Sequence, residues 1–221
     1  MKRAAPAKTS KASPADRRRA HGERTRREIL EAARRIAAAD GLEALSIGRL
    51  ATEVGMSKAG LFAHFGSKES LQIATIDAAW DVYRNEVLEP TMASPAGAPQ
   101  LRSFMEHYFD YVQRHAKDGG CFFTAASSEF DDRAGPVRDR VFETTAERSA
   151  FLERVLHEAV AAGHLPKNTD VAQMTFEILA LVTGTNLLFQ LYKDPQIFQR
   201  ARRTLRAMPP PKRSSKTAPT D

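Results

Sequence analysis

With 221 residues, 42% of them hydrophobic, the chain can bury a sizeable core in one or two domains, and its single cysteine, Cys121, excludes an internal disulfide framework or a multi-cysteine metal site. The net charge of +6 is unevenly spread: residues 1–27 hold ten Lys/Arg against two acids and residues 193–221 eight against two, while residues 28–192 hold fifteen against twenty-three. Basic ends on an acidic body point to a polyanionic partner, with merely solubilising tails as the plain alternative, and residues 1–20 lack the apolar stretch of a secretory signal, which leaves a reducing, cytoplasmic setting as the expectation.

Residues 1–23 carry seven Lys/Arg with Pro6, Pro14 and Gly22 and almost no large apolar side chains, a composition that predicts a disordered basic arm. Within it Arg17, Arg18 and Arg19 are candidates for DNA backbone or minor-groove contacts. Ile29, Ala33, Ile36 and Ala37 then recur at helical spacing, predicting a helix over 24–39 closed by Gly41. Ser46 reads as the N-cap of a short helix with Ile47, Leu50, Ala51 and Val54 on one face, ended by Gly55. Ser57 caps the next, in which Leu61 and Phe65 face one way before Gly66 stops it. Ser67 caps a fourth, longer helix to about Leu88, with Leu71, Ala74, Ala78 and Val82 expected inward.

Three prolines and a glycine between Glu89 and Gln100 predict a break and a hinge. Helical patterning resumes with Leu101, Phe104, Met105, Tyr108 and Val112, then over 121–130 and 137–162. Val171–Leu191 is apolar on nearly all sides, but Glu177, Asn186 and Gln190 interrupt it, which favours a helix buried in a bundle or against a second subunit over a membrane span. Asp194-Pro195 reads as N-cap and first residue of a last helix carrying Phe198, Ala201 and Leu205. The pattern is all-α throughout.

Two short helices joined by Gly55-Met56-Ser57 form a helix-turn-helix, whose second helix enters the major groove while the first crosses the backbone. Leu61 and Phe65 anchor that second helix, leaving Lys58, Ala59, Phe62, Ala63 and His64 for its outer side. Lysine, histidine and capped helix N-termini all seek phosphate.

Residues 24–71, above all LSIGRLATEVGMSKAGLFAHFGSKESL, resemble the DNA-binding domain of the TetR/AcrR family of bacterial transcriptional regulators. The resemblance implies an N-terminal three-helix DNA-binding domain and a divergent helical C-terminal domain that dimerises, often through its last two helices, and holds a small-molecule pocket. It implies phosphate contact by Ser46, an opening of the recognition helix at Ser57 and Lys58, and a backbone grip by Lys68. Phe62 stands where the family usually has tyrosine, so a hydroxyl for phosphate is missing while the ring remains for sugar or a thymine methyl. Gly60 replaces a position often held by threonine, at a cost of roughly 1 kcal/mol in helix propensity. The DNA-contacting set is therefore Ser46, Ser57, Lys58, Ala59, Gly60, Phe62, His64 and Lys68, with the arm arginines added.

Beyond the motif, Phe104, Tyr108, Phe122 and Phe123 are candidates to line an effector cavity, although aromatic residues at helical spacing are more often plain core, the reading favoured for most of them. Cys121 reads as a small buried hydrophobe rather than a redox sensor. No phosphate-cradling loop, HExxH or G-x-S-x-G motif is present, so neither catalysis nor a cofactor or metal is expected. The expected organisation is an arm over 1–23, a DNA-binding domain over 24–70, a dimerisation and effector domain over 71–207 and a disordered tail over 208–221. The expected function is a ligand-responsive regulator, most simply a repressor, binding a palindromic operator as a homodimer. The competing readings are a constitutive or architectural DNA-binding protein whose C-terminal domain only dimerises, and a helical interaction protein.

Overall fold

The computed structural model describes residues 13–208, and every regular element among them is helical. Helix α1 (Pro14–Asp40), α2 (Ile47–Glu53) and α3 (Lys58–Phe65) form the N-terminal part, followed by α4 (Lys68–Tyr83). Serine hydroxyls set the starts of the last three, as their sequence positions predict. Ser46 accepts from the amide of Arg49 at 3.2 Å, Ser57 from Gly60 at 3.0 Å and Ser67 from Ser70 at 3.0 Å, each satisfying a donor that the first helical turn leaves open. Ile29, Ala33, Ile36 and Ala37 of α1, Leu50 and Ala51 of α2, and Leu61 and Phe65 of α3 are buried and join the hydrophobic core that continues into the C-terminal helices.

Helix α1 corrects the expected arm. It begins at Pro14, so the backbone of Arg17, Arg18 and Arg19 is helical, not disordered. Few apolar residues do not prevent a helix from extending out of a packed one, because propagation adds a hydrogen bond per residue and Ala and Arg are good helix formers. Pro14 at the first turn lacks an amide that would have had no partner there. The rest of the arm and the expected tail beyond Met208 lie outside the described residues.

The expected break over 89–100 is also shorter. Helix α4 continues through a π-helical turn (Arg84–Leu88) into α5 (Glu89–Met92), and α6 (Ala98–Arg114) begins after five residues. A proline ring clashes with the carbonyl four residues before it in a regular α-helix, and the wider π turn lies directly ahead of Pro90. The inward face of α4 differs from the expected one as well. Leu71, Thr75, Ile76, Ala79, Trp80 and Tyr83 are buried, whereas Ala74, Ala78 and Val82 are half-exposed toward α1. The bulky Ile76, Trp80 and Tyr83 take the core, which rotates the alanines out of it.

A C-terminal bundle follows: α7 (Phe122–Phe130), α8 (Pro136–Ala161), α9 (Val171–Tyr192) and α10 (Gln196–Ala207). Asp194 accepts from the amide of Gln196 at 2.9 Å, so α10 starts one residue later than the Asp-Pro pair suggests. Helix α9 is long and apolar enough to cross a membrane by length and composition. Here it packs against α6, α7, α8 and α10; Met174, Ile178, Val182 and Phe189 are buried, and the Tyr108 hydroxyl donates to the Val182 carbonyl at 3.1 Å. That is the packing of a core helix with one face left outward.

The two parts meet on the C-terminal half of α1. Glu129 of α7 accepts from the backbone amides of Leu42 at 2.6 Å and Glu43 at 2.9 Å, just past the end of α1. Gly119, with φ of +96°, brings its backbone so close that a Cβ there would lie 2.0 Å from the Ala38 carbonyl oxygen. The neighbouring Gly120 is equally close to α9, where a Cβ would lie 2.5 Å from Asn186 Oδ1, and Asn186 accepts the Cys121 amide at 2.9 Å. Further along α1, the nearly buried Arg34 lies 3.5 Å from Nδ1 of His115, whose Nε2 lies 3.2 Å from Glu86. Glu86 also pairs with Arg114 at 2.9 Å.

Two outcomes follow from this seam. Replacing Glu129 by Ala leaves two backbone donors without their charged acceptor, so urea unfolding should show a loss of about 1–3 kcal/mol and the Leu42 and Glu43 amides should lose hydrogen-exchange protection. Burial, and then the Arg34 guanidinium, hold the His115 pKa below its ordinary 6.5, outweighing Glu86. The unfolded chain therefore takes up a proton before the folded one does, and this contribution, complete above pH 6.5, is lost as pH falls through that value toward the folded pKa. Urea midpoints at pH 7.5 and 5.5 should differ less for His115→Gln than for the wild type.

Candidate nucleic-acid interface

Leu61 is fully buried and Phe65 nearly so, which fixes α3 about its own axis and turns the rest of it outward. Lys58, Ala59, Phe62 and Ala63 are exposed, Gly60 and His64 half-buried, and Phe62 is 54% exposed, a large apolar ring with no place in the core. These are the residues expected on the reading side, with Ser46 and Ser57 at the starts of α2 and α3. Arg26 of α1 closes the back of α3: its guanidinium sits 4.6 Å from the Phe65 ring centroid and donates to the His64 carbonyl at 3.0 Å.

Two lysines behave differently from a bare motif reading. The side chain of Lys58 lies along α2, with its Cε 3.2 Å from where a Cβ on Gly48 would stand. Gly48 thus leaves the channel the lysine occupies, a role no sequence pattern marks. Lys68 is held at 2.5 Å by Glu43, which also pairs with Arg133 at 3.2 Å and accepts from Gln72 at 3.3 Å. The Lys68 hydrogen bond is the largest cause holding the Glu43 carboxyl below its ordinary range. A phosphate reaching Lys68 must therefore compete with an ion pair of the chain itself. Arg49, exposed on α2, pairs with Asp40.

The expected effector residues lie elsewhere and are closed in. Phe104 stacks on Tyr108 with centroids 6.4 Å apart and packs on Phe151 at 6.1 Å. Phe122 meets Phe123 edge-on at 5.3 Å, and Phe123 meets Trp80 and Tyr83 at 5.9 and 5.7 Å. All four are buried, as is Cys121. They are core aromatics, with Arg148 lying over the Tyr83 and Phe123 rings at 5.1 and 5.5 Å.

This arrangement of a serine-capped two-helix reader on a helical bundle has known counterparts. Residues 29–75 match the model of bacterial regulatory proteins of the tetR family, and residues 97–205 match the tetracyclin repressor-like C-terminal domain. The chain belongs to the TetR family. It is 23% identical over 166 residues to the HTH-type transcriptional regulator SrpR of Pseudomonas putida, covering 75% of each protein. A TetR transcriptional regulator from Chloroflexus aurantiacus superposes with a TM-score of 0.78 at 22% identity, over 85% of this chain and 95% of that one. AibR, solved in complex with isovaleryl coenzyme A and operator DNA, superposes with a TM-score of 0.66 at 25% identity, over 84% and 98%. The protein is accordingly a TetR-family, DNA-binding transcriptional regulator, and α2 and α3 lie within the residues matched by the family's N-terminal model.

The two lysines sit in different settings, Lys68 paired with Glu43 and Lys58 beside Gly48, and the expected roles of positioning for the first and reading for the second can be tested on them. Lys68→Ala should weaken operator and scrambled duplexes alike and lower the salt slope by about one, whereas Lys58→Ala should cost about 1–3 kcal/mol on the operator and spare random DNA. Glu43→Gln, which frees Lys68, should tighten binding to both duplexes. Fluorescence anisotropy at matched salt checks all three. Selectivity lost with Lys68→Ala and kept with Lys58→Ala would displace the assigned reading surface.

Proposed function

We propose that this TetR-family regulator is a ligand-responsive repressor that binds a palindromic operator as a homodimer in the cytoplasm. The observation that carries the reading is the coexistence of two surfaces left exposed by the described residues: the outer side of α3, and an apolar face on the last helices. Phe176, Leu187, Leu188, Leu191 and Tyr192 of α9 are 43–68% exposed, a cost that a second copy would remove. Ala180, Gly184 and Leu188 recur at four-residue spacing along α9 and line a groove of about 320 Å³ with Ile197 and Ala201 of α10. The small residues let another helix approach closely, and an isologous contact there would set two recognition helices about a two-fold axis.

The physical mechanism has three parts. Ser46, Ser57 and the helix starts supply backbone donors and hydroxyls to phosphate, while Lys58, Lys68 and the arginines near the start of α1 supply charge. Ala59 and Gly60 offer little to a base edge, so selectivity rests largely on DNA shape, with Phe62 supplying apolar contact. An effector that favours a different spacing of the two recognition helices weakens operator binding, and the operator weakens effector binding by the same factor. The structure of AibR with both an acyl-coenzyme A and operator DNA supports such a pairing in a similar fold. The closed aromatic core around Phe104, Tyr108, Phe122 and Phe123 favours a second reading, in which the C-terminal domain only dimerises and binding is constitutive.

Selection of duplexes from a random pool should return inverted repeats with half-site centres about one helical turn apart. Binding to the selected duplex should fall steeply with salt, by roughly −0.9 in log–log slope per neutralised phosphate. Leu188→Glu with Leu191→Glu should give a folded monomer by sedimentation and abolish tight operator binding. A single asymmetric site occupied by a monomer, or a flat salt response, would contradict the proposal.

A further inference from the structure

Between α1 and α4 lies an open cleft of about 690 Å³, within the range of small-molecule sites. Its floor is apolar: Leu30 from α1 and Ala74, Ala78 and Val82 from α4, the alanines leaving the space that larger residues would fill. Three arginines of α1 line it, Arg26, Arg27 and Arg34, and four acids do as well. Each acid already pairs with an arginine. Asp77 pairs with Arg140 at 2.7 Å, Asp81 with Arg84 at 2.9 Å, Glu86 with Arg114 at 2.9 Å and Glu31 with Arg35 at 3.4 Å. None of these partner arginines belongs to the cleft lining.

The three cleft arginines have no carboxylate partner among the described residues. Arg26 donates to the His64 carbonyl, and Arg34 lies only 3.5 Å from the His115 ring nitrogen. Arg34 is 7% exposed, and its buried Nε makes no hydrogen bond. A guanidinium so far removed from water without an anion is costly, and an incoming carboxylate would supply the missing acceptor. We propose that this cleft is an effector site for an organic anion with an apolar body, its acid group taken by the α1 arginines and its hydrocarbon lying on Leu30, Ala74, Ala78 and Val82. The inference rests on the ligand-responsive reading above and gives it a location and a ligand class.

The position of the cleft couples it to DNA. Arg26, on its rim, is the residue that fastens the last turn of the recognition helix through the His64 carbonyl. An anion that draws this guanidinium toward the cleft loosens α3, and one that wedges α1 from α4 changes how the reader sits on the bundle. Effector and operator then favour different arrangements, as reciprocal coupling requires.

Titration calorimetry on the full chain with decanoate below its micellar concentration tests the site without DNA, with decanol and decyltrimethylammonium as neutral and cationic counterparts. Decanoate should bind and the other two should bind at least tenfold more weakly. Arg27→Gln, at an exposed position, should weaken decanoate about tenfold, and Ala78→Phe, which fills the floor, should abolish binding with circular dichroism and melting temperature retained. Decanoate should then lower operator affinity of the wild type and leave that of Ala78→Phe unchanged. Absence of decanoate binding, equal binding of decanol, or undiminished binding by both variants would overturn the site. Binding without any change in operator affinity would overturn its role as an effector site. A chain that binds operator but fails the decanoate arm leaves the regulatory reading standing and removes only the cleft, whereas decanoate binding by a chain that binds no selected duplex removes the regulatory reading instead.

Discussion

The end of α1 is gripped from outside, and the placement of α2 and α3 depends on that grip. Glu129 holds two backbone amides beyond Asp40, and Gly119 lays its backbone against Ala38 so closely that no side chain fits between them. Helix α1 is also the wall on which α2 and α4 pack, so fixing its end fixes α3 relative to the bundle. The same turn reaches the other way. Gly120 and Cys121 meet Asn186 of α9, the helix whose outer face is apolar and exposed among the described residues. A short chain of close contacts thus runs from α9, the helix proposed to join two subunits, to the end of α1. Packed backbone is stiff, and small shifts at one end of such a chain are passed on instead of absorbed.

Polar groups at this seam are unevenly satisfied, and that shapes what it can do. Glu129 is fully used, whereas Arg34 reaches only a neutral histidine and Glu43 is shared among Lys68, Arg133 and Gln72. The first behaves as a fixed anchor. The other two are arrangements that an added anion, ligand carboxylate or DNA phosphate, would redistribute. Regulation in a helical protein of this kind needs both: rigid links to carry a displacement and unsettled ones where a ligand gains differential affinity.

The helix-turn-helix was legible from particular residues. Ser46, Ser57 and Ser67 each carry local capping chemistry, and Leu61 with Phe65 fix the inner face of α3 by spacing alone, so boundaries and orientation follow without knowledge of the rest. The start of α1 was not legible, because the absence of apolar residues over 14–23 describes what cannot form a core and says nothing of a helix extended from a packed segment. The inner face of α4 lies one position along the helix from the expected one, with Trp80 meeting Phe123 of α7, a neighbour that periodicity does not contain. Spacing favours core for most of Phe104, Tyr108, Phe122 and Phe123, and their partners lie as distant in sequence as Phe151 and Val182. The ties between Lys68 and Glu43, and between Arg26 and the recognition helix, are likewise long-range.

The account stands on the claim that the contacts at Gly119 hold the two reading helices at a fixed separation in a dimer. Spin labels placed on Ala63→Cys, with the buried Cys121 left in place, report that separation directly by double electron–electron resonance on the full chain with operator DNA. The expected result is one narrow intermolecular distance consistent with half-sites about 34–36 Å apart. In Gly119→Ala, where the added methyl must displace Ala38, it should become broad or shifted while the protein stays dimeric. No intermolecular distance in the first protein, or an unchanged distribution in the second, would contradict it.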